Sequence, residues 1–97
     1  MIYHVTTIPE WTNAQANGFY AAASLPIEGF IHCSTESQVK GVLERYYQNV
    51  SALILLHIDE NLLTAELKYE LAPSVNESFP HVYGTINIDA VLAAIPL

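Results

Sequence analysis

The four histidines of this sequence share one local pattern, in which each imidazole stands two positions before a residue with a hydrogen-bonding side chain. The four triplets are His4-Val5-Thr6, His32-Cys33-Ser34, His57-Ile58-Asp59 and His81-Val82-Tyr83. Because strand side chains alternate between two faces, a spacing of two puts both members of each pair on the same face of a sheet. Imidazole moves protons near neutral pH, binds metals and orients ligands. The pattern therefore indicates a site built from histidines and hydroxyl groups.

The segment EGFIHCST, residues 28–35, is the stretch in which reactive side chains are densest. Alternation in a strand predicts a polar face that holds Phe30, His32 and Ser34. It turns Ile31 and Cys33 to the opposite face, where both suit the core. Glu28 stands just before this strand and is a candidate carboxylate for the same site. The segment is thus expected to form one wall of a cleft.

Four interpretations of the histidines remain open. In the first, each histidine is a structural residue that is buried and bonds a neighbour, because buried polar groups are paired. Alternatively, imidazoles from several strands bind a metal, although the sequence has no HxH or HxxxH pair. A third interpretation is nucleophilic catalysis by Cys33 or Ser34 with a histidine base. The fourth is a cleft in which paired imidazoles and hydroxyls hold a sugar or a nucleotide.

The charge balance excludes one large class of partners. The net charge is −7, with three Lys and Arg residues against ten Asp and Glu residues. Extended nucleic-acid binding needs many cations to displace counterions, so it is not expected here. No apolar run approaches the ~20 residues of a membrane span, and no membrane partner is expected. The single Cys33 fits a reducing compartment, which predicts a cytoplasmic location.

The remaining patterns predict the elements that carry these side chains. A strand is expected at 2–6, followed by a helix at 8–17 that begins at a Thr7–Glu10 capping box and ends at Gly18. A second strand is expected at 29–34, and a second helix at 36–46 follows Thr35 and Gln38. The apolar stripe of that helix consists of Val39, Val42, Leu43 and Tyr46.

The second half of the sequence reads mostly as strands. The continuous apolar run 51–58 predicts a strand covered on both faces, and 64–71 alternates. Its inward side chains are expected to be Leu67, Tyr69 and Leu71. Residues 72–81 are expected to form a loop, 82–86 a strand, and 89–97 a helical turn or a last strand. The predicted fold class is α+β, a single domain over 1–97 with a small mixed twisted sheet and two main helices.

Three motifs resemble the domain-of-unknown-function family 952 across essentially the whole chain. They are YHVT at 3–6, EGFIHCST at 28–35 and FPHVYG at 79–84. The resemblance implies a small fold similar to the ADP-ribosyltransferase superfamily, whose members split nicotinamide dinucleotide (NAD). It makes NAD a candidate substrate and implies no certain cofactor.

Within that superfamily, the nearest motif likeness is to RNA 2'-phosphotransferases, which carry a first-strand His-Gly-Thr and a later His-x-Ser before a helix. Here these motifs look like His4-Val5-Thr6 and His32-Cys33-Ser34. The resemblance implies that His4 contacts a ribose and that an acidic residue on a later strand, Glu70, completes the site. Val5 replaces the glycine, and no arginine accompanies either histidine.

The expected function is an ADP-ribosyltransferase-like domain that binds a nucleotide-like or other small polar ligand, with Glu70 and Glu28 as candidate catalytic carboxylates. The expected ligand-binding residues are His4, Thr6, Phe30, His32, Ser34, His81 and Tyr83. The alternatives are a non-enzymatic binding or accessory module with the same fold and a His-ligated metal protein. The chain is expected to be a monomer or a weak homodimer.

Overall fold

A computed structural model describes all 97 residues of the chain. It contains three α-helices: α1 Ile8–Asn17, α2 Leu25–Glu28 and α3 Val39–Tyr46. The strands are β1 Ile2–Thr7, β2 Phe19–Tyr20, β3 Ile31–His32, β4 Leu53–Ile58, β5 Glu66–Ala72, β6 Glu77–Tyr83, β7 Ile86–Asn87 and β8 Val91–Pro96. Short 3₁₀ turns lie at Glu36–Gln38, Glu60–Leu62 and Ile88–Ala90. The α+β class predicted from the sequence is confirmed at this level.

The strands form three antiparallel sheets rather than one mixed sheet. Their strand orders are β1-β4-β8, β2-β7 and β3-β6-β5. The first and third sheets join where Tyr3 and Ser34 exchange two backbone hydrogen bonds of 2.8 and 2.7 Å. This bridge sets β1 beside the segment that follows β3. It is the contact that brings the His4 and His32 triplets together.

The first helix has the bounds that the sequence predicts, because its end signals are local. Thr7 is the N-cap, and its side chain accepts a hydrogen bond from the backbone N–H of Glu10 at 3.3 Å. The helix ends at Gly18, whose φ of 86° lies in the left-handed region that glycine adopts without strain. Trp11 and Ala14 turn toward the core.

The core lies against β4, the central strand of the first sheet. Leu56 and Ile58 on this strand are completely buried, as is Ile2 on β1. The other members of the core include Ile31, Val82 and Ile86, which come from the other two sheets. One apolar cluster therefore ties all three sheets together and fixes the position of β3 relative to β1.

The predicted loop at 72–81 is wrong from Glu77 onward, where β6 begins and forms a hairpin with β5. Pro80 misled the prediction, because proline is rare in a central strand. Its carbonyl accepts a hydrogen bond from the Cys33 N–H at 2.9 Å, so the backbone nitrogen of Pro80 also faces β3 rather than β5. The missing N–H therefore costs no bond in the hairpin, and pairing with β3 ends there.

The predicted inward face of 64–71 is also wrong. Tyr69 is 51% exposed and Leu71 is 58% exposed, and only Leu67 packs against the core. The reason is that β5 is an edge strand, so the core covers only its beginning. Its polar residues instead lie on the face of the hairpin that carries His81, the Cα partner of Lys68.

Three further predicted elements change in extent. The strand at 29–34 shrinks to Ile31–His32, and the helix at 36–46 begins as a 3₁₀ turn before α3 starts at Val39. No residue of α3 is fully buried, and two members of its apolar stripe, Val42 and Tyr46, border a cavity. The last segment forms both predicted alternatives in turn, a 3₁₀ turn and then β8. None of the helices has the length and apolar character needed to cross a membrane.

Candidate functional site

A cavity of about 620 Å³ opens between β1, the β5–β6 hairpin and α3. One end of it is polar, with walls from β1, β3 and β6. The polar residues at this end include His4, Thr6, Glu28, His32, Ser34 and His81. The lining supplied by α3 and the β5–β6 hairpin is largely apolar, and this part, called the apolar end, includes Val42, Tyr46, Tyr47, Leu71, Val75 and Phe79. The two ends together form a site suited to a ligand that is polar at one side and flat or apolar at the other.

His4 is buried and has both ring nitrogens engaged inside the protein. Its Nδ1 lies 2.5 Å from the backbone oxygen of His32, which only accepts, so Nδ1 carries the proton. In the neutral ring Nε2 is then an acceptor, and the Tyr20 hydroxyl donates to it over 2.8 Å. The Tyr20 oxygen lies 3.0 Å from Thr6 Oγ1, and this arrangement leaves it to accept the Thr6 proton. The chain Thr6–Tyr20–His4 therefore fixes the tautomer of His4 and ties β1 to β3.

Burial lowers the pKa of His4 to about 4, and the hydrogen bond to the His32 carbonyl opposes this shift only in part. The imidazole is therefore neutral at physiological pH. Burial also raises the pKa of Tyr20, so its hydroxyl keeps its proton and continues to donate to His4. This group of side chains is a fixed support for the site rather than a proton donor to a ligand.

Two carboxylate–imidazole pairs face each other across the β3–β6 pairing. His32 and His81 are directly opposite in the register, with ring centroids 5.0 Å apart. His32 Nε2 lies 2.6 Å from Glu28 Oε2, and His81 Nδ1 donates to Glu70 Oε1 at 2.9 Å. The second bond orients the His81 ring, because the carboxylate fixes the proton on Nδ1. His81 Nε2 is thereby left as the acceptor of the neutral ring.

The Glu70 carboxylate also accepts a hydrogen bond from the Tyr83 hydroxyl. The Tyr83 and His81 hydrogen bonds, in that order, lower the pKa of Glu70, while the same Glu70 contact raises the pKa of Tyr83. Glu70 is therefore ionised at neutral pH and held by two donors. Phe30 stacks on the other side of this group, with its ring 4.1 Å from that of His81 and nearly parallel to it.

The nine residues predicted for the site fall into two groups. The side chains that line the cavity are His4, Thr6, Glu28, His32, Ser34 and His81. The other three do not line the cavity: Phe30 and Glu70 contact His81, and Tyr83 bonds to Glu70. The residues thus form one connected group, in which the second set orients side chains of the first.

Sequence reasoning missed Tyr20, which bonds His4 and Thr6 from a two-residue strand after Gly18. No local pattern marks this tyrosine, because its side chain reaches β1 from a different sheet, β2-β7. The apolar end of the cavity was missed as well. The sequence predicts an apolar stripe on α3 without indicating a cavity beside it, and it places Val75 and Phe79 in a loop.

Two alternatives lose support from the geometry. Burial raises the pKa of the Cys33 thiol to about 12, so a nucleophilic thiolate is scarce at neutral pH. No three side chains of His, Cys, Asp or Glu come together in an arrangement that could hold a metal ion. The hydroxyl of Ser34 remains beside His32 in the cavity wall.

Comparison with known proteins gives a family but no activity. The profile of a family described as "Protein of unknown function (DUF952)" matches residues 5–94. No curated protein matches the sequence. The crystal structure of protein CC0527 from Caulobacter crescentus is 28% identical, with a TM-score of 0.87 over 96% of this chain and 82% of that chain. Its solution NMR structure is 28% identical, with a TM-score of 0.84 over 99% of this chain and 83% of that chain.

Proposed function

The chain belongs to the DUF952 family of proteins of unknown function, and from this premise we propose that it is an ADP-ribosyltransferase-like domain that binds a nucleotide-like or other small polar ligand. The observation that carries the proposal is the convergence of His4, His32 and His81 on one cavity. The volume of about 620 Å³ lies within the ~300–1,000 Å³ typical of small-molecule sites. The proposal includes a cytoplasmic monomer or weak homodimer that binds no extended nucleic acid.

The polar end of the cavity supplies the groups that would bind such a ligand. His32 and His81 offer ring nitrogens, and Thr6 and Ser34 add hydroxyl groups suited to a ribose. His4 has a different role, because both of its nitrogens are engaged by His32 and Tyr20. It holds the backbone of β3 in place through its bond to the His32 carbonyl.

The reaction in this proposal is cleavage of the bond between ribose and nicotinamide. The C–N bond breaks and its electron pair leaves with nicotinamide. The oxygen of a water or an alcohol then bonds to the ribose carbon and releases its proton to solvent. A carboxylate close to the ribose stabilises the oxocarbenium-like state. Glu28 is the better of the two candidates, since it lines the cavity and Glu70 does not. Glu70 instead orients His81.

Titration with NAD and with ADP-ribose, followed through backbone amide shifts, tests the binding. We expect shifts at His32, Ser34 and His81 with at least one of the two ligands at millimolar concentration. His81→Ala is expected to weaken binding about tenfold, the loss of one hydrogen bond together with one stacked ring. His57→Ala is the matched control, because His57 lies outside the cavity against Tyr3. The absence of shifts at the cavity residues with both ligands would contradict the proposal.

A second candidate function is a non-enzymatic accessory module that binds the same ligand. It is favoured by the engagement of Glu70, which two donors hold behind His81. Measurement of nicotinamide release from NAD separates the two candidates. The enzyme is supported if nicotinamide is released faster than in the absence of protein and if Glu28→Gln reduces this rate at least tenfold. Binding of NAD without any release assigns the accessory module.

A further inference from the structure

The charges around the cavity have one sign. The carboxylates in its lining belong to Glu10 and Glu28, and no lysine or arginine lines it. Glu28 is paired with His32 at 2.6 Å, whereas Glu10 has no imidazole partner. The chain as a whole carries −7. A ligand that enters the cavity therefore meets a negative potential, which favours cations over anions.

None of the three lysine and arginine side chains is part of the cavity lining. Lys68 Nζ lies 3.6 Å from Glu66 Oε1 and 5.0 Å from the centroid of the Tyr83 ring. The Arg45 guanidinium lies 5.7 Å from the centroid of the exposed Tyr46 ring, and Lys40 is exposed on α3. A phosphate group in the cavity would therefore have no cationic side chain to bind it.

The N-terminus of α1 does not supply the missing positive charge. This helix begins at the cavity wall, where its free N–H groups would otherwise attract an anion. Glu10 lies in its first turn, and its carboxylate accepts a hydrogen bond from the Thr7 hydroxyl at 3.1 Å. The full negative charge of this carboxylate exceeds the partial positive charge of the helix end, roughly +0.5, so that the wall stays negative and a second anion finds no favourable position there.

The apolar end adds a feature that suits a cation. Tyr46 and Tyr47 both line it, beside Phe79. Aromatic faces attract cations through their electron-rich centres and also stack on neutral rings. The Arg45 guanidinium already lies over the Tyr46 ring, so a flat ring with a positive charge, such as a pyridinium, would gain from the Tyr47 and Phe79 rings and from the carboxylates.

We propose that the cavity selects neutral or cationic nucleosides over their phosphorylated forms, which rests on the proposed function above and narrows it. For a dinucleotide, the nicotinamide riboside half fills the cavity and the pyrophosphate stays outside it. The selectivity comes from two carboxylates, aromatic walls and the absence of any lysine or arginine in the lining.

Calorimetric titration with two matched pairs tests this selectivity. The pairs are nicotinamide riboside with nicotinamide mononucleotide, and adenosine with adenosine 5'-monophosphate. In each pair we expect the phosphorylated form to bind at least about tenfold more weakly, since two carboxylates repel the phosphate. Equal or tighter binding of the phosphorylated forms would overturn the selectivity and leave ligand binding intact. Failure of all four compounds and of NAD would instead overturn the proposed function, and the selectivity with it.

The cause of the selectivity is tested with two charge-removing variants. Glu28→Gln keeps the size of a side chain in the cavity wall, and we expect it to reduce the discrimination in each pair at least about threefold. Glu44→Gln on the exposed side of α3 removes the same charge outside the lining and is expected to preserve the discrimination. An equal effect of both variants would show that overall charge, rather than the cavity, sets the preference.

Discussion

The free energy of unfolding is expected to fall by about 2 kcal/mol between pH 8 and pH 5, and by about 3 kcal/mol at pH 4, through His4 alone. The folded protein lowers the pKa of this histidine from 6.5 to about 4. Between these two values the unfolded chain binds a proton that the folded chain does not. Stability is therefore complete above pH 6.5 and is lost as the pH falls toward 4.

Denaturant unfolding at a series of pH values measures this loss, and His4→Asn assigns it. The asparagine amide can still donate toward the His32 carbonyl but does not titrate. The variant is therefore expected to be less stable at pH 8, and its free energy of unfolding is expected to fall much less between pH 8 and pH 5. His57→Asn removes an imidazole outside the cavity and is expected to keep the same fall in the free energy of unfolding between pH 8 and pH 5. The pKa values of Glu60 and Glu70 are also lowered, but these groups act below about pH 4.5. Parallel curves for the native protein and His4→Asn would contradict the assignment.

Replacement of Leu56 by alanine is expected to lower the free energy of unfolding by about 3 kcal/mol, within the ~2–5 kcal/mol found for buried leucines. Leu56 is completely buried at the middle of β4 and lies directly opposite His4 on β1 and Ala94 on β8. Its loss removes apolar contacts and leaves a cavity at the point where the first sheet supports the site. Urea unfolding with an unchanged m-value measures the effect.

Leu55→Ala is the matched control, because the same substitution falls one residue away on the opposite face of β4. Leu55 is only half-buried and pairs with Val5 and Ile95. We expect Leu55→Ala to lower the free energy of unfolding by about 1 kcal/mol, because Leu55 buries less apolar surface on folding than Leu56 does. An equal or larger effect at Leu55 would mean that the main core does not lie on the Leu56 face.

The local elements were predicted from the sequence wherever their signals are local. The bounds of α1 follow from Thr7, Glu10 and Gly18, which bond within a few residues of one another. The family was also identified from its motifs, and the match over residues 5–94 confirms it. The same motifs contained most of the side chains that line the polar end of the cavity.

The tertiary structure decided how those side chains act. Alternation along a strand gives the face of His4 or His32, but not which ring nitrogens are already occupied. The engagement of His4 by Tyr20 depends on how the β2-β7 sheet packs against the first sheet, and the orientation of His81 by Glu70 depends on the β5–β6 hairpin. The sequence did not predict that hairpin because of Pro80. Whether a strand can accommodate a proline depends on which neighbouring strand the proline nitrogen faces.

The sequence by itself determined the α+β class and the first helix, because both follow from patterns among near neighbours in the chain. It also determined the family and the residue types of the site, because these are read directly from the motifs. The joining of the sheets through Tyr3 and Ser34, the apolar end of the cavity and the absence of lysine and arginine from its wall were decided only in three dimensions. The physical reason is that these features depend on residues far apart in the chain, and only the packing of the common core fixes their distances.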